Sequence, residues 1–127
     1  MSARNLLSSG SRFETAWGYS RAVVYGNEVF VSGTTGFDYA TMTIADDAAD
    51  QTRMAFKNIA TALAQAGGSL ADIVRIRYYV PNAEDWERIG AVAGEVLRDV
   101  RPAATALVCG LVDPKMKIEI EVDARIG

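Results

Sequence analysis

The chain has 127 residues, no histidine and one cysteine, Cys109. Serine-histidine and cysteine-histidine nucleophile pairs are therefore excluded, as is any histidine-ligated zinc centre. A lone cysteine neither closes an internal disulfide nor builds a metal cluster, and its expected role is that of a small buried hydrophobe. Acid-base chemistry is left to carboxylates, tyrosine, lysine and water. The acids gather in two places. Asp46, Asp47 and Asp50 precede a helical pattern, where negative charge complements the helix dipole; a magnesium site is the poorer reading, and no metal is expected. Glu119, Glu121 and Asp123 alternate with Ile118, Ile120 and Val122. In a strand that alternation puts the acids on one face and the aliphatic side chains on the other.

A second run repeats the arrangement with the opposite charge. Val74, Ile76 and Tyr78 alternate with Arg75, Arg77 and Tyr79. Each strand then has an apolar face for helices and a charged one, and arginines facing acids across strands is the plain outcome for a solvated sheet. Glu119 has two readings: an ion pair with Arg75 or Arg77, or a carboxylate available for proton transfer.

The elements that must position these residues follow from periodicity and turn chemistry. Residues 21–25 and 28–32 are β-branched or aromatic-rich and flank Gly26-Asn27, a two-residue hairpin signal. Residues 37–44 read as a short edge segment. Asp46 or Asp47 then caps a helix with Phe56, Ile59, Leu63 and Ala66 inward, stopped by Gly67-Gly68. Residues 73–80 form a strand that ends at Pro81. Asn82 with Asp85 reads as a capping-box variant opening a second helix, with Trp86, Ile89, Ala93 and Val96 inward. Residues 104–111 and 116–124 supply the last strands. The predicted architecture is α+β, a single domain over residues 1–127 with two helices on one face of one sheet and residues 1–16 as an N-terminal extension.

Composition removes several classes of function. The 13 Lys and Arg against 16 Asp and Glu give a net charge of −3. Neither the total nor any local run supplies the basic footprint of a nucleic-acid binder. Residues 1–16 hold only Leu6-Leu7 as an apolar pair, too little for a secretory signal, and no apolar run reaches membrane-spanning length. A soluble cytoplasmic protein is expected, with no membrane or nucleic-acid partner.

Several blocks in order carry a family resemblance. They are Gly18-Tyr19-Ser20-Arg21-Ala22, Val29-Phe30-Val31-Ser32-Gly33, the helix from Gln51 to Asn58 closing at Ala66-Gly67, Arg101-Pro102-Ala103-Ala104-Thr105, and Lys117-Ile118-Glu119-Ile120-Glu121. Over residues 17–124 the chain resembles the YjgF/RidA (Rid) family. The resemblance implies a chorismate-mutase-like domain with a mixed sheet, assembled as a homotrimer whose pockets lie between subunits and hold a small molecule. It also implies a cofactor-free deaminase that hydrolyses a reactive enamine or imine to a keto acid and ammonia. In that family Glu119 would hold the attacking water, with Tyr19, Ser32 and Gly33 lining the pocket. An arginine that grips the substrate carboxylate stands in the family where this chain has Ala104; Ala106 replaces a common cysteine, and Gly90 a pocket asparagine.

Arg21 or Arg101 would have to take over carboxylate binding, Arg21 being better placed because alternation puts it near Tyr19; otherwise both make surface or trimer salt bridges. The implied substrate is therefore other than the small 2-aminoacrylate class, for example a ring-cleavage imino acid. The alternative is a non-catalytic trimer that binds a metabolite or regulates a partner. The ribonuclease label attached to this family is disfavoured by the charge.

Overall fold

The computed structural model describes residues 4–127. Its chain enters through β1 (Asn5–Leu7) and a one-and-a-half-turn helix, α1 (Arg12–Trp17), then forms the expected hairpin of β2 (Ala22–Tyr25) and β3 (Glu28–Thr35). Gly26 at the turn has a φ of 63°, a backbone that glycine adopts without a Cβ clash. A two-stranded ribbon of β4 (Phe37–Asp38) and β5 (Thr43–Ile44) leads to the long helix α2 (Ala48–Gln65). Next come β6 (Ile73–Val80), α3 (Trp86–Val96), β7 (Ala103–Val108) and β8 (Glu119–Arg125). The main sheet runs β1-β2-β3-β8-β6-β7; β6 and β7 are parallel and the other neighbours antiparallel.

The expected α+β architecture, with two main helices on one face of a mixed sheet, is the one observed. Asp47 is the cap of α2: its carboxylate accepts from Asp50 N at 3.0 Å, and that bond, with help from Arg88, holds its carboxyl below the ordinary range. Phe56, Ile59 and Leu63 are buried against Val29, Val31, Ile76, Ile120 and Val122 in one continuous core. The same core takes Ile89, Val92 and Ala93 from α3. Among the described residues no helix is long and apolar enough to cross a membrane.

Four local expectations are corrected. The supposed N-terminal extension is, over its described part, built into the fold: residues 5–7 pair with β2, and Ser11 caps α1 by accepting from Phe13 N at 3.1 Å. Asn82 makes no capping bond; Arg88 instead reaches Asp85 and Asp47, tying α3 to the start of α2. Trp86 is not an inward residue but sits at the rim, 37% exposed, edge-on to Tyr78. The last strand begins later than predicted because residues 115–117 are held by a side chain rather than by a neighbouring strand, and the strand before it ends at Val108.

That side chain is Gln51, fully buried in α2. Its Nε2 donates to Ala45 O at 2.7 Å and to Lys115 O at 2.9 Å, and its Oε1 accepts from Lys117 N at 2.8 Å. Gly36 permits this seat, since a Cβ there would stand 2.6 Å from Gln51 Cα. One amide thus docks the loop between β7 and β8 onto the helix. Replacing Gln51 by Leu strands three part-buried backbone groups, at about 1–3 kcal/mol for each that water does not reach. Chemical denaturation of Gln51→Leu should therefore show a loss of about 1–3 kcal/mol, with Gln51→Glu intermediate because its acceptor survives.

Candidate functional site

The site begins at an irregularity in β3. Pairing with β8 shifts register between Val31 and Thr34, so Ser32 and Gly33 fall in a bulge. Ser32 is pinned at both ends, its Oγ donating to Ser20 O at 2.6 Å and its N to Arg21 O at 3.0 Å. Gly33 lies directly under the Glu119 side chain: a Cβ built there would overlap the carboxylate oxygen and stand 2.9 Å from its carbon. Here glycine serves close approach, because only a residue without a side chain lets the carboxylate lie on the backbone.

Above this floor is a cavity of about 420 Å³. Tyr19 and Tyr39 form one wall, Phe13 and Trp17 of α1 the rim, and Val112 and Met116 from the docked loop the far side. Phe13 and Trp17 stack with centroids 4.9 Å apart, and Phe13 meets Phe37 edge-on at 6.0 Å. Glu119 and Glu121 are the two acids that line it.

These acids stand in different surroundings. Arg77 lies 4.0 Å from Glu121 and 3.7 Å from Asp123, and the Tyr79 hydroxyl donates to Glu121. Glu119 has no hydrogen-bond or ion-pair partner among the described residues. The ion-pair reading of Glu119 is thereby excluded, and register is the reason: Arg77 pairs with Glu121 and Arg75 with Asp123, while Glu119 falls opposite Tyr79 and Thr35. Burial pushes the Glu119 carboxyl above its ordinary value of 4.5; the Arg21 guanidinium pulls it back and Glu121 pushes it up again. Burial likewise raises the Tyr19 hydroxyl, with Arg21 opposing.

Arg21 supports the site from behind. It is 2% exposed, its Nη1 donates to the Tyr39 hydroxyl at 2.8 Å and its Nη2 to Gly33 O at 2.7 Å. Its guanidinium carbon sits 5.6 Å from the Tyr19 ring centroid and 5.4 Å from that of Tyr39. The expected neighbourhood of Arg21 and Tyr19 is observed. However, Arg21 borders a separate 180 Å³ cavity with Asn58 and Gln65 rather than the one that holds Glu119. It is not placed to grip a ligand carboxylate there.

Tyr19, Ser32, Gly33 and Glu119 are therefore brought together, while Ala104 and Ala106 are not. β7 pairs Ala104 with Ile76 and Ala106 with Tyr78, on the helix-side face of the sheet and opposite to Glu119. Ala106 borders an apolar groove with Trp86 and Val80 instead. Arg101 is exposed before β7 with a φ of 53°. Cys109, expected to be buried, is exposed, because β7 closes the sheet with neither of its faces covered. Phe13, Trp17, Tyr39 and Met116 are cavity residues that sequence reasoning missed. Ser11 followed by Phe13 and Trp17 at helical spacing was the available signal for two of them.

Comparison with known proteins agrees with the fold. A model of the family described as endoribonuclease L-PSP matches residues 9–126. A Mycobacterium tuberculosis structure described as a member of the YjgF/YER057c/UK114 family is 43% identical, with a TM-score of 0.89 over 98% of this chain and 100% of that one. An uncharacterised protein of Streptomyces coelicolor is 33% identical over 95% of this chain and 91% of its own. Escherichia coli TdcF, a structure with bound serine, is 25% identical with a TM-score of 0.80 over 86% of this chain and 88% of that one. The chain belongs to the YjgF/RidA family.

Proposed function

We propose that the protein is a cytoplasmic, cofactor-free hydrolase of enamines or imines, with Glu119 as the proton-transfer group. The observation that carries this reading is a half-buried carboxylate without a partner, seated on Gly33 at the floor of a cavity. An unpaired buried acid is costly to a fold, and positions that keep one are enriched in function. The bound serine of TdcF supports an amino-acid-sized ligand on this fold. Nucleic-acid cleavage is a poor fit, since Glu119 and Glu121 would repel a phosphate at the cavity floor.

In the proposed reaction the imine carbon lies above Glu119 with a water between them. The carboxylate takes a proton as the water oxygen bonds to carbon and the C=N π pair moves to nitrogen. From the iminium this gives a neutral carbinolamine. Glu119 passes its proton to the amine nitrogen, then takes the hydroxyl proton as the C–N bond breaks with its electron pair going to nitrogen. The carbonyl compound leaves with ammonia, which carries that last proton away as ammonium. A raised carboxyl suits both halves of that exchange. Tyr19, whose hydroxyl burial keeps protonated, would donate to the developing amine or hydroxyl.

The reading includes a homotrimer. Every residue of β7 is exposed, in a strand that is apolar at Leu107 and Val108 and has an unpaired edge. A neighbouring copy packed there would bring Ala104 and Ala106 of one subunit to the cavity of the next. Light scattering at micromolar concentration should return a mass near three chains; a monomer would remove the shared pocket.

The chemical test is ammonia release from imines generated in situ by amino-acid and amine oxidases. Wild-type protein should accelerate release, and Glu119→Gln should lower kcat by about 10²–10⁴-fold. Because the base must be ionised, activity should fall as pH drops through the raised Glu119 value, placing the acid limb of the pH-rate profile above 4.5. The stability sign is opposite: raised on folding, Glu119 stabilises the fold when protonated and loses that contribution as pH rises through its folded value. Glu119→Gln should thus melt higher than wild type near neutral pH, whereas a structural glutamate would melt lower. Gly33→Ala, which displaces the carboxylate, should cost activity on the same scale as Glu119→Gln while keeping Glu119 titratable.

A further inference from the structure

The cavity also specifies the charge of its ligand. Among the described residues that line it none is Lys or Arg, and Glu119 makes no ion pair. The two nearby guanidiniums are committed: Arg21 is buried behind Tyr39 and Gly33, and Arg77 lies between Glu121 and Asp123. β7, the edge a neighbouring copy would present, reads Ala-Ala-Thr-Ala-Leu-Val and adds no charge. A carboxylate-bearing ligand would therefore lose its hydration to a site that offers no fork of donors and an acid at the floor. The ring-cleavage imino acid expected from the sequence has that defect.

The rim points to the rest of the molecule. Trp17 is 63% exposed yet fixed by its stack on Phe13, with planes 9° apart, which leaves a flat aromatic surface at the entrance. Val112, 81% exposed, and Met116 extend an apolar lining on the other side. Rigid aromatic surface beside an unpaired carboxylate is the chemistry that recognises a planar organic cation.

We propose that the cavity takes a carboxylate-free iminium bearing an aromatic or extended apolar substituent, its N–H toward Glu119 and its substituent on Trp17. For its reaction this rests on the hydrolase reading; for the charge and shape of the ligand it does not. The reaction class that supplies such a species is two-electron oxidation of a primary amine at its α-carbon. Hydrolysis adds water across C=N and releases an aldehyde or ketone with ammonium.

Two matched pairs test it. In the first, calorimetry compares benzamidinium, a planar cation that is not turned over, with benzoate, its anionic counterpart. Benzamidinium should bind at least about tenfold tighter, a difference of about 1.4 kcal/mol, and Glu119→Gln and Trp17→Ala should each weaken it several-fold. Neither change should unfold the chain, one being isosteric and the other at an exposed ring. Benzoate binding as tightly as benzamidinium, or neither binding, would overturn the proposal. In the second, ammonia release is followed from the imine of 2-phenylethylamine and the imine of phenylalanine, made in situ by the corresponding oxidases and differing by the carboxylate. The carboxylate-free imine should be favoured in kcat/KM by about tenfold or more; preference for the amino-acid imine would overturn the proposal. Benzamidinium selectivity with no acceleration of either imine would retain the ligand class and defeat the hydrolase reading.

Discussion

A guanidinium has been taken out of water in the middle of this fold, and the arrangement of the cavity follows from how its charge is met. Arg21 stands between the rings of Tyr19 and Tyr39 and donates to the Tyr39 hydroxyl and the Gly33 carbonyl. Among the described residues its Nε has no partner, so the compensation is incomplete and every contact it does make matters. Those contacts join the entry to β2, the bulge of β3 and the ribbon after it into one unit. Gly33 is held by its carbonyl from below while Glu119 presses on it from above. The positive charge beneath the floor also opposes the rise that burial imposes on Glu119.

The two glutamates of β8 show how one strand makes a structural and a chemical acid from the same residue type. They are two positions apart and face the same side, so alternation cannot distinguish them. Register can. Glu121 meets Arg77 and Tyr79 and belongs to the sheet; Glu119 meets Tyr79 and Thr35 along the ladder and has no cation to pair with. A two-residue change in pairing would have set Glu119 opposite Arg77 and made it a structural acid as well.

This is also where the sequence stops being legible. The helices, the hairpin, the strand at residues 73–80 and the faces of β6 and β8 follow from local periods and turn residues, which depend on no distant partner. Tyr19, Ser32, Gly33 and Glu119 were found together because family blocks align them. Which arginine meets which acid depends on inter-strand register, which local pattern does not encode. The capture of residues 115–117 by Gln51 is a contact more than sixty positions apart in sequence. It shortened β8 relative to its apolar alternation and placed Met116 in the cavity. Phe13 and Trp17 were overlooked for a different reason: a short polar segment looks dispensable until a single capped turn stacks its two aromatics over the site.

The uncovered face of β7 and the uncovered acid of β8 pose the same physical question at different scales. A sheet edge with apolar residues in water and a carboxylate half out of water each carry a cost that the isolated chain does not offset. In the proposed trimer, a second copy seated over the cavity would lower the dielectric around Glu119. That raises its carboxyl further and strengthens any interaction with a cation bound above it. Assembly and ligand charge are then coupled: the better the edge is sealed, the less tolerable an anion becomes beside Glu119. An iminium becomes more favourable by the same degree, because it alone supplies the positive charge that the described lining lacks.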